Sequence, residues 1–265
     1  MKLSAYPAFT HSAFQSRLAY RNQVWANAFG DLVNVFARIA IWSAAYAGMT
    51  VVDGVTLPEM VTYAVLVGTV LRWDHARLLH EVGDAVRTGD VAVYLLKPLH
   101  YPFAILASHV GHYAFSFVTV TIPVVLIVGF TAGLMPPASL FHAALFPVFW
   151  LLSWLVMFCI ATLCGLLAFW LLTAFSLEWF LMGIMLLFSG AVVPMWFLPP
   201  ALATLFSYLP FAWVHYYPAA VYLGKLDPTS TWLHLGMGLG WLALLAAAVA
   251  WLWSRARHRI IVQGG

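Results

Sequence analysis

The sequence predicts an all-α integral membrane protein with six transmembrane helices, and three observations carry that prediction. Of its 265 residues, 64% are hydrophobic and only 8% are charged, against the roughly 25% charge of a soluble domain. Too few charges remain to cover a water-facing surface, so the excess apolar surface must face lipid. The apolar residues come in runs of about 20 rather than in alternating stretches of about 10, which selects helices over a barrel.

The elements follow in order along one domain, residues 1–265, with no internal repeat and no separate soluble unit. In residues 1–28, Phe14, Leu18 and Trp25 recur at near-helical spacing with Arg17 and Arg21 between them. That pattern predicts an N-terminal helix lying at the headgroup boundary. No continuous apolar core of a signal peptide precedes it, so the first span is expected to act as its own insertion signal. The first span is expected at residues 30–52 and the second at 57–73, followed by a polar stretch, 74–100. The third, 110–134, is closed by Met135-Pro136-Pro137. The fourth, 140–173, is longer than the ~20 residues a bilayer requires, so it must tilt or project. The fifth runs from Ser176, a candidate N-cap with Glu178 in the first turn, to Pro194. The sixth covers 231–253 and carries Gly236 and Gly240, a G-x-x-x-G pair suited to close helix approach within the chain or across a dimer.

Charge distribution sets the expected orientation. With the N terminus inside, the inner segments hold Lys2, Arg17, Arg21, Arg72, Arg77, Arg87, Lys97, Arg255, Arg257 and Arg259. Lys225 falls outside and Arg38 within a span. The positive-inside rule therefore predicts that both termini face the cytoplasm.

Several chemistries are missing from the sequence. There is no G-x-x-x-x-G-K-[ST] loop, because Ala219 stands where the first glycine before Lys225 should be. His80-Glu81 begins an H-E-x-x-H pattern, but Asp84 replaces the second histidine. No G-x-S-x-G occurs. Cys159 and Cys164, five apart in one apolar run, read as packing residues, and His109 and His112 read as packing or hydrogen-bonding groups. No catalytic residue, metal site or cofactor site is assigned, and a net charge of +3 gives no sign of nucleic-acid binding. In the first span, Asp31, Asn34 and Arg38 share one helix face. That face is turned either to a neighbouring helix or to a substrate path or subunit interface.

Two segments are more informative. The first, 74–100, reads DHARLLHEVGDAVRTGDVAVYLLKPLH. It places His80, Glu81, Val82, Gly83, Asp84, Val86 and Arg87 in a short amphipathic helix, with Gly89 permitting a turn and Lys97-Pro98 a stop. Such a helix either connects two spans through solvent or docks into a groove on a partner. The second, 194–230, carries Pro194, Trp196, Pro199, Pro210 and Phe211 among further prolines and aromatics. Prolines break any continuous span and the aromatics suit the membrane interface, which predicts short helices dipping back into the outer leaflet.

Together the two segments resemble those of ABC-2-type exporter permeases, a bacterial family of six-span proteins. The resemblance rests on Arg72, Asp74, Gly83, Gly89 and Leu95-Leu96-Lys97-Pro98 on one side, and on Pro194 to Pro200, Leu209-Pro210-Phe211 and Tyr222-Leu223-Gly224 on the other. It implies that 74–100 holds a cytoplasmic coupling helix seated on an ATPase subunit, and that re-entrant helices follow the fifth span. It further implies two copies of an ABC ATPase that hold ATP and Mg, a second permease subunit, identical or homologous, surrounding membrane lipids, and a place in the bacterial inner membrane. The chain would then be a transport subunit and not itself an enzyme. A stand-alone secondary transporter or channel, or a membrane-embedded enzyme, would instead need a coupled ion site or a polar cluster at one depth.

Overall fold

The computed structural model describes residues 5–18, 21–91, 100–171 and 175–258. Helix α1, Tyr6–Leu18, packs lengthwise on α5, Tyr101–Ser116. Their backbones come close enough that a Cβ on Gly111 would lie 2.1 Å from the Thr10 carbonyl oxygen, so only glycine fits there. The Thr10 hydroxyl fastens the contact by donating to the Ala107 carbonyl at 2.8 Å. Helix α2 runs over Arg21–Tyr46, starting nine residues earlier than the apolar run suggested. Its polar first turns remain helical because backbone hydrogen bonds are made regardless of whether side chains face lipid or headgroups.

After α2 comes a two-residue hairpin that the span assignment had absorbed. Val51–Val52 pairs antiparallel with Val55–Thr56 around Asp53-Gly54. Both turn residues take positive φ, +48° and +73°, as a type I′ turn requires. Thr56 then caps α3, Leu57–Val65, through a reciprocal capping box with Glu59, with Pro58 in the first turn. Lys225 pairs with Glu59 at 2.8 Å and donates to the Gly54 carbonyl, tying this hairpin to a distant loop.

Among the described residues, two π-helical turns interrupt the helices. Leu66–Val70 ends α3, and its last carbonyl, Val70, accepts from Tyr113 and from Trp150. Phe117–Thr121 lies between α5 and α6, Ile122–Ala132, and ends two positions before Pro123. Proline has no N–H and collides with the carbonyl four residues back, so widening the preceding turn relieves both conflicts.

Helix α7, Leu140–Leu166, is the central post, and a short helix α8, Ala168–Leu171, continues from it. At about 1.5 Å per residue its 27 residues outrun the ~30 Å hydrocarbon thickness, consistent with the length of the fourth apolar run. Leu152, Val156, Met157 and Ala161 are buried along it, and α4 (His75–Thr88), α9 (Phe175–Phe188), α11 (Tyr216–Tyr222) and α12 (Pro228–Ala256) all pack against it. Between α9 and α12 lie a 3-10 turn at Met195–Phe197, α10 (Pro200–Ser207) and a second 3-10 turn at Pro210–Trp213.

Among the described residues, four helical stretches are long and apolar enough to cross a membrane: Asn22–Tyr46, Tyr101–Ala132, Leu140–Leu171 and Pro228–Ala256. Leu57–Val70 and Ser176–Phe188 are apolar but shorter. Among the described residues, nothing lies within 4 Å of a Cβ built on Gly236 or Gly240, so this pair makes no close helix contact there. Gly238 makes it instead, where a Cβ would lie 2.4 Å from the buried Trp213 ring. Ser176 sits inside the first turn of α9 rather than before it.

Candidate functional site

The polar stretch forms a helix, α4, that is amphipathic in fact as in sequence, and its apolar side settles on α7. Leu78, Leu79, Val82 and Gly83 are buried. A Cβ on Gly165 of α7 would lie 2.8 Å from the Cβ of Val82, so the fit depends on glycine at 165. His80 and Asp84 face outward, as do Thr88 and Gly89 at the end of the helix. Gly89 adopts φ +79°, which stops the helix. The side chains of Val86 and Arg87 are outside the described set, as are Lys97 and Pro98 altogether.

From its outer side α4 also reaches α9. His80 Nε2 meets Glu178 Oε2 at 2.6 Å. Glu178, placed by sequence at a helix start, thus links two elements nearly 100 positions apart. Glu81 points into the protein, where burial raises its carboxyl pKa, opposed by Arg77 and reinforced by Asp74. Asp74 accepts from the Arg77 backbone N–H at 3.3 Å and pairs with Arg17 of α1 at 3.7 Å. Arg77 in turn approaches His112 of α5 at 3.5 Å. His109 is buried, its ring stacked on Trp154.

At the start of the same loop, the Trp73 indole N–H donates to Ser153 Oγ at 3.0 Å, and that hydroxyl donates to the Val214 carbonyl at 2.5 Å. One serine on α7 therefore joins the α3–α4 connection to the proline-rich segment. Nothing in the local sequence marks Ser153, which is a lone small polar residue in an apolar run.

The stripe on α2 divides. Asp31 is buried and pairs with Arg72 just after α3. Asn34 is exposed, and its Oδ1 accepts from Arg38 Nε at 2.9 Å. Arg38 Nη1 donates to the Ala191 carbonyl at 2.6 Å. The stripe thus faces neighbouring elements at Asp31 and Arg38, while Asn34 stays open on the surface.

Arg38 explains how α9 can end where it does. Beyond Phe188 the chain leaves the helix, and three successive carbonyls are captured individually. Ser189 O accepts from Tyr216 N at 3.1 Å, Gly190 O from the Tyr63 hydroxyl at 2.8 Å, and Ala191 O from Arg38. Backbone that leaves a helix away from water requires such partners. Pro194 precedes the turn that carries Trp196, whose ring meets Tyr63 edge-on at 5.0 Å. Pro199 caps α10, and Pro210 opens the second turn, where Phe211 contacts Phe188. Trp213, fully buried, donates to the His234 carbonyl at 2.9 Å.

Cys159 and Cys164 are both free thiols. Among the described residues, no three His, Cys, Asp or Glu side chains come together as a metal site. A family model described as ABC-2 family transporter protein matches residues 32–264. No curated protein matches the chain.

Proposed function

The chain belongs to the ABC-2 family of transporter proteins, and from this we propose that it is the six-span permease subunit of an ATP-binding-cassette exporter in the bacterial inner membrane. Leu57–Val70 and Ser176–Phe188 complete the six spans, both termini face the cytoplasm, and the segment after α9 is re-entrant from the outer side. Two such subunits, identical or homologous, pair, and two separate ATPase subunits bind ATP with Mg and supply the energy. This chain moves the substrate and leaves the hydrolysis to its partner.

One observation supports the reading most. Helix α4 is seated on α7 through Val82 and Gly165 and joined to α9 through His80 and Glu178. A push on its outward side, which carries Asp84 and Thr88, reaches two membrane helices at once. Asp31, Asn34 and Arg38 lie on α2, where Asn34 remains open to a substrate path or a second subunit.

The test is co-expression with ABC-type ATPases from the same genome, purification through a tag on this chain, and assay of ATP hydrolysis with and without Asp84→Arg. Copurification of an active ATPase, lost or slowed by Asp84→Arg in a chain of unchanged thermal stability, supports the reading. If no ATPase copurifies while the purified chain alone moves substrate in vesicles, the stand-alone transporter replaces it.

A further inference from the structure

Hydroxyls on the helices of this chain commonly turn back on their own helix. Thr62, Thr69, Thr119, Thr131 and Ser189 each donate to the carbonyl four residues earlier, the local default for a serine or threonine within a helix. Ser153 has such a carbonyl one turn back on α7, that of Phe149. It donates instead across the protein, to the Val214 carbonyl at 2.5 Å, while accepting from the Trp73 indole N–H at 3.0 Å. Trp73, Ser153 and Val214 are all buried, so water does not compete for these groups.

The Trp73 N–H selects between the two acceptors. A serine oxygen carries one hydrogen and two lone pairs. An N–H bonded to that oxygen polarises the hydroxyl, strengthens the bond it donates, and holds the side chain in the rotamer that faces across. Without the indole, the rotamer facing Phe149 keeps the serine hydrogen-bonded and releases the Val214 carbonyl.

Trp73 stands where movement of α4 is felt first. Three residues before it, the Val70 carbonyl is held by both Tyr113 and Trp150. Two residues after it, α4 begins. Trp73 therefore lies between a fixed anchor and the amphipathic helix. At the other end, Val214 follows the turn Pro210–Trp213, and its N–H donates to the Phe211 carbonyl. The neighbouring Trp213 is fully buried, packs on Gly238 of α12 and donates to the His234 carbonyl. Whatever frees Val214 thus loosens the proline-rich segment where it meets α12.

We propose that Ser153 is a two-position switch. With Trp73 docked, its hydroxyl holds Val214 and locks the proline-rich segment; when Trp73 withdraws with α4, the hydroxyl returns to Phe149 and Val214 is freed. The use of this switch in transport, to loosen the proline-rich segment as α4 moves, rests on the exporter reading. The switch itself rests on the contacts alone, so it is tested on the chain without any ATPase, and its failure leaves the exporter reading standing.

Amide hydrogen exchange of the full chain in detergent, read by mass spectrometry over residues 211–217, is the test. Wild type is compared with Trp73→Phe, Ser153→Ala, the double variant and Tyr113→Leu. The last removes a ring packed on Trp73, from a helix that does not carry the serine, and keeps the Trp73 N–H. Trp73→Phe and Ser153→Ala are each expected to speed exchange in 211–217 about fivefold, the order for one net hydrogen bond, and the double variant no further. Tyr113→Leu should leave 211–217 at the wild-type rate. A serine that only anchors Val214 would be indifferent to Trp73, so unchanged exchange in Trp73→Phe overturns the proposal. So does a double variant whose effect is the product of the two single effects, or a Tyr113→Leu chain that matches Trp73→Phe. If Trp73→Phe does not fold, Ser153→Ala decides alone: exchange must rise in both 73–78 and 211–217, and a rise at one end only overturns the switch.

Discussion

Val82 of α4 rests on Gly165 of α7 with no room for a single added methyl, since a Cβ at 165 would sit 2.8 Å from Val82 Cβ and 3.1 Å from its Cγ1. The β-branched neighbour is stiff at χ1 and cannot swing away. Gly165→Ala is therefore expected to lift α4 from α7 and to cost about 1–3 kcal/mol, the range for overpacking. Val82→Ala should be milder alone and should rescue Gly165→Ala in part, because it removes the Cγ1 contact at 3.1 Å but keeps the Cβ at 2.8 Å. Thermal unfolding of the four proteins in detergent checks this, and equal losses in Gly165→Ala and the double variant would refute the contact.

Ser153 holds two partners with one hydroxyl. Ser153→Ala leaves the Trp73 N–H and the Val214 carbonyl without that contact in a buried setting. The expected loss is about 1–3 kcal/mol. Trp73→Phe removes that donor together with part of a ring packed on Tyr113 and Trp150, and because both changes break the same hydrogen bond the double variant should lose less than the sum of the two single losses. Simple additivity in a double-mutant cycle would mean that the two groups do not communicate through Ser153.

Arg38 and Tyr63 act on adjacent carbonyls at the break after α9. Arg38→Met and Tyr63→Phe should each destabilise by about 1–3 kcal/mol by orphaning one carbonyl. Arg38→Lys keeps the charge but not the planar fork that reaches both Asn34 and Ala191, so it should recover only part of the loss. Protease sensitivity of the segment following Phe188 gives a local readout, which should rise for Arg38→Met and Tyr63→Phe and not for a control such as Thr204→Ala on exposed α10.

Glu81 sets a pH dependence. Burial raises its folded-state pKa above the model-peptide range, so the folded chain holds its proton more tightly than the unfolded chain. Stability from this group is then full below the unfolded pKa of about 4.3 and declines as pH rises through the folded value. Glu81→Gln, always neutral, should melt higher than wild type at pH 7, and the difference should shrink toward zero as pH falls to about 4. A constant difference across that window would place the charge of Glu81 in contact with water instead.

Membrane insertion, helical class and family were legible because each depends on local or summed properties. Sixty-four per cent apolar composition and long uninterrupted runs leave no soluble alternative, and an amphipathic period in 75–88 produces α4 whatever it packs on. The prolines at 194, 199, 200 and 210 break the helix by covalent geometry, so the irregular segment after α9 could be placed from sequence. The Val51–Thr56 hairpin was equally written in Val-Val-Asp-Gly-Val-Thr, but a hydropathy window averages over so short a signal. The beginning of α2 was misplaced for a related reason, since polarity marks where lipid ends and not where backbone hydrogen bonding ends.

What tertiary packing alone could settle is which residues meet. Gly236 and Gly240 matched a packing pattern, yet Gly238, between them, receives Trp213, because the face turned inward depends on the rotation of α12 against its neighbours. Asp31 and Arg38 share a helix face but serve different partners, one an arginine after α3 and the other a carbonyl more than 150 positions away. Ser153, Gly165 and Glu178 carry the links to Val214, Val82 and His80. No period or composition singles them out, since a long-range contact is specified by the joint shape of several helices and leaves no mark within any one of them.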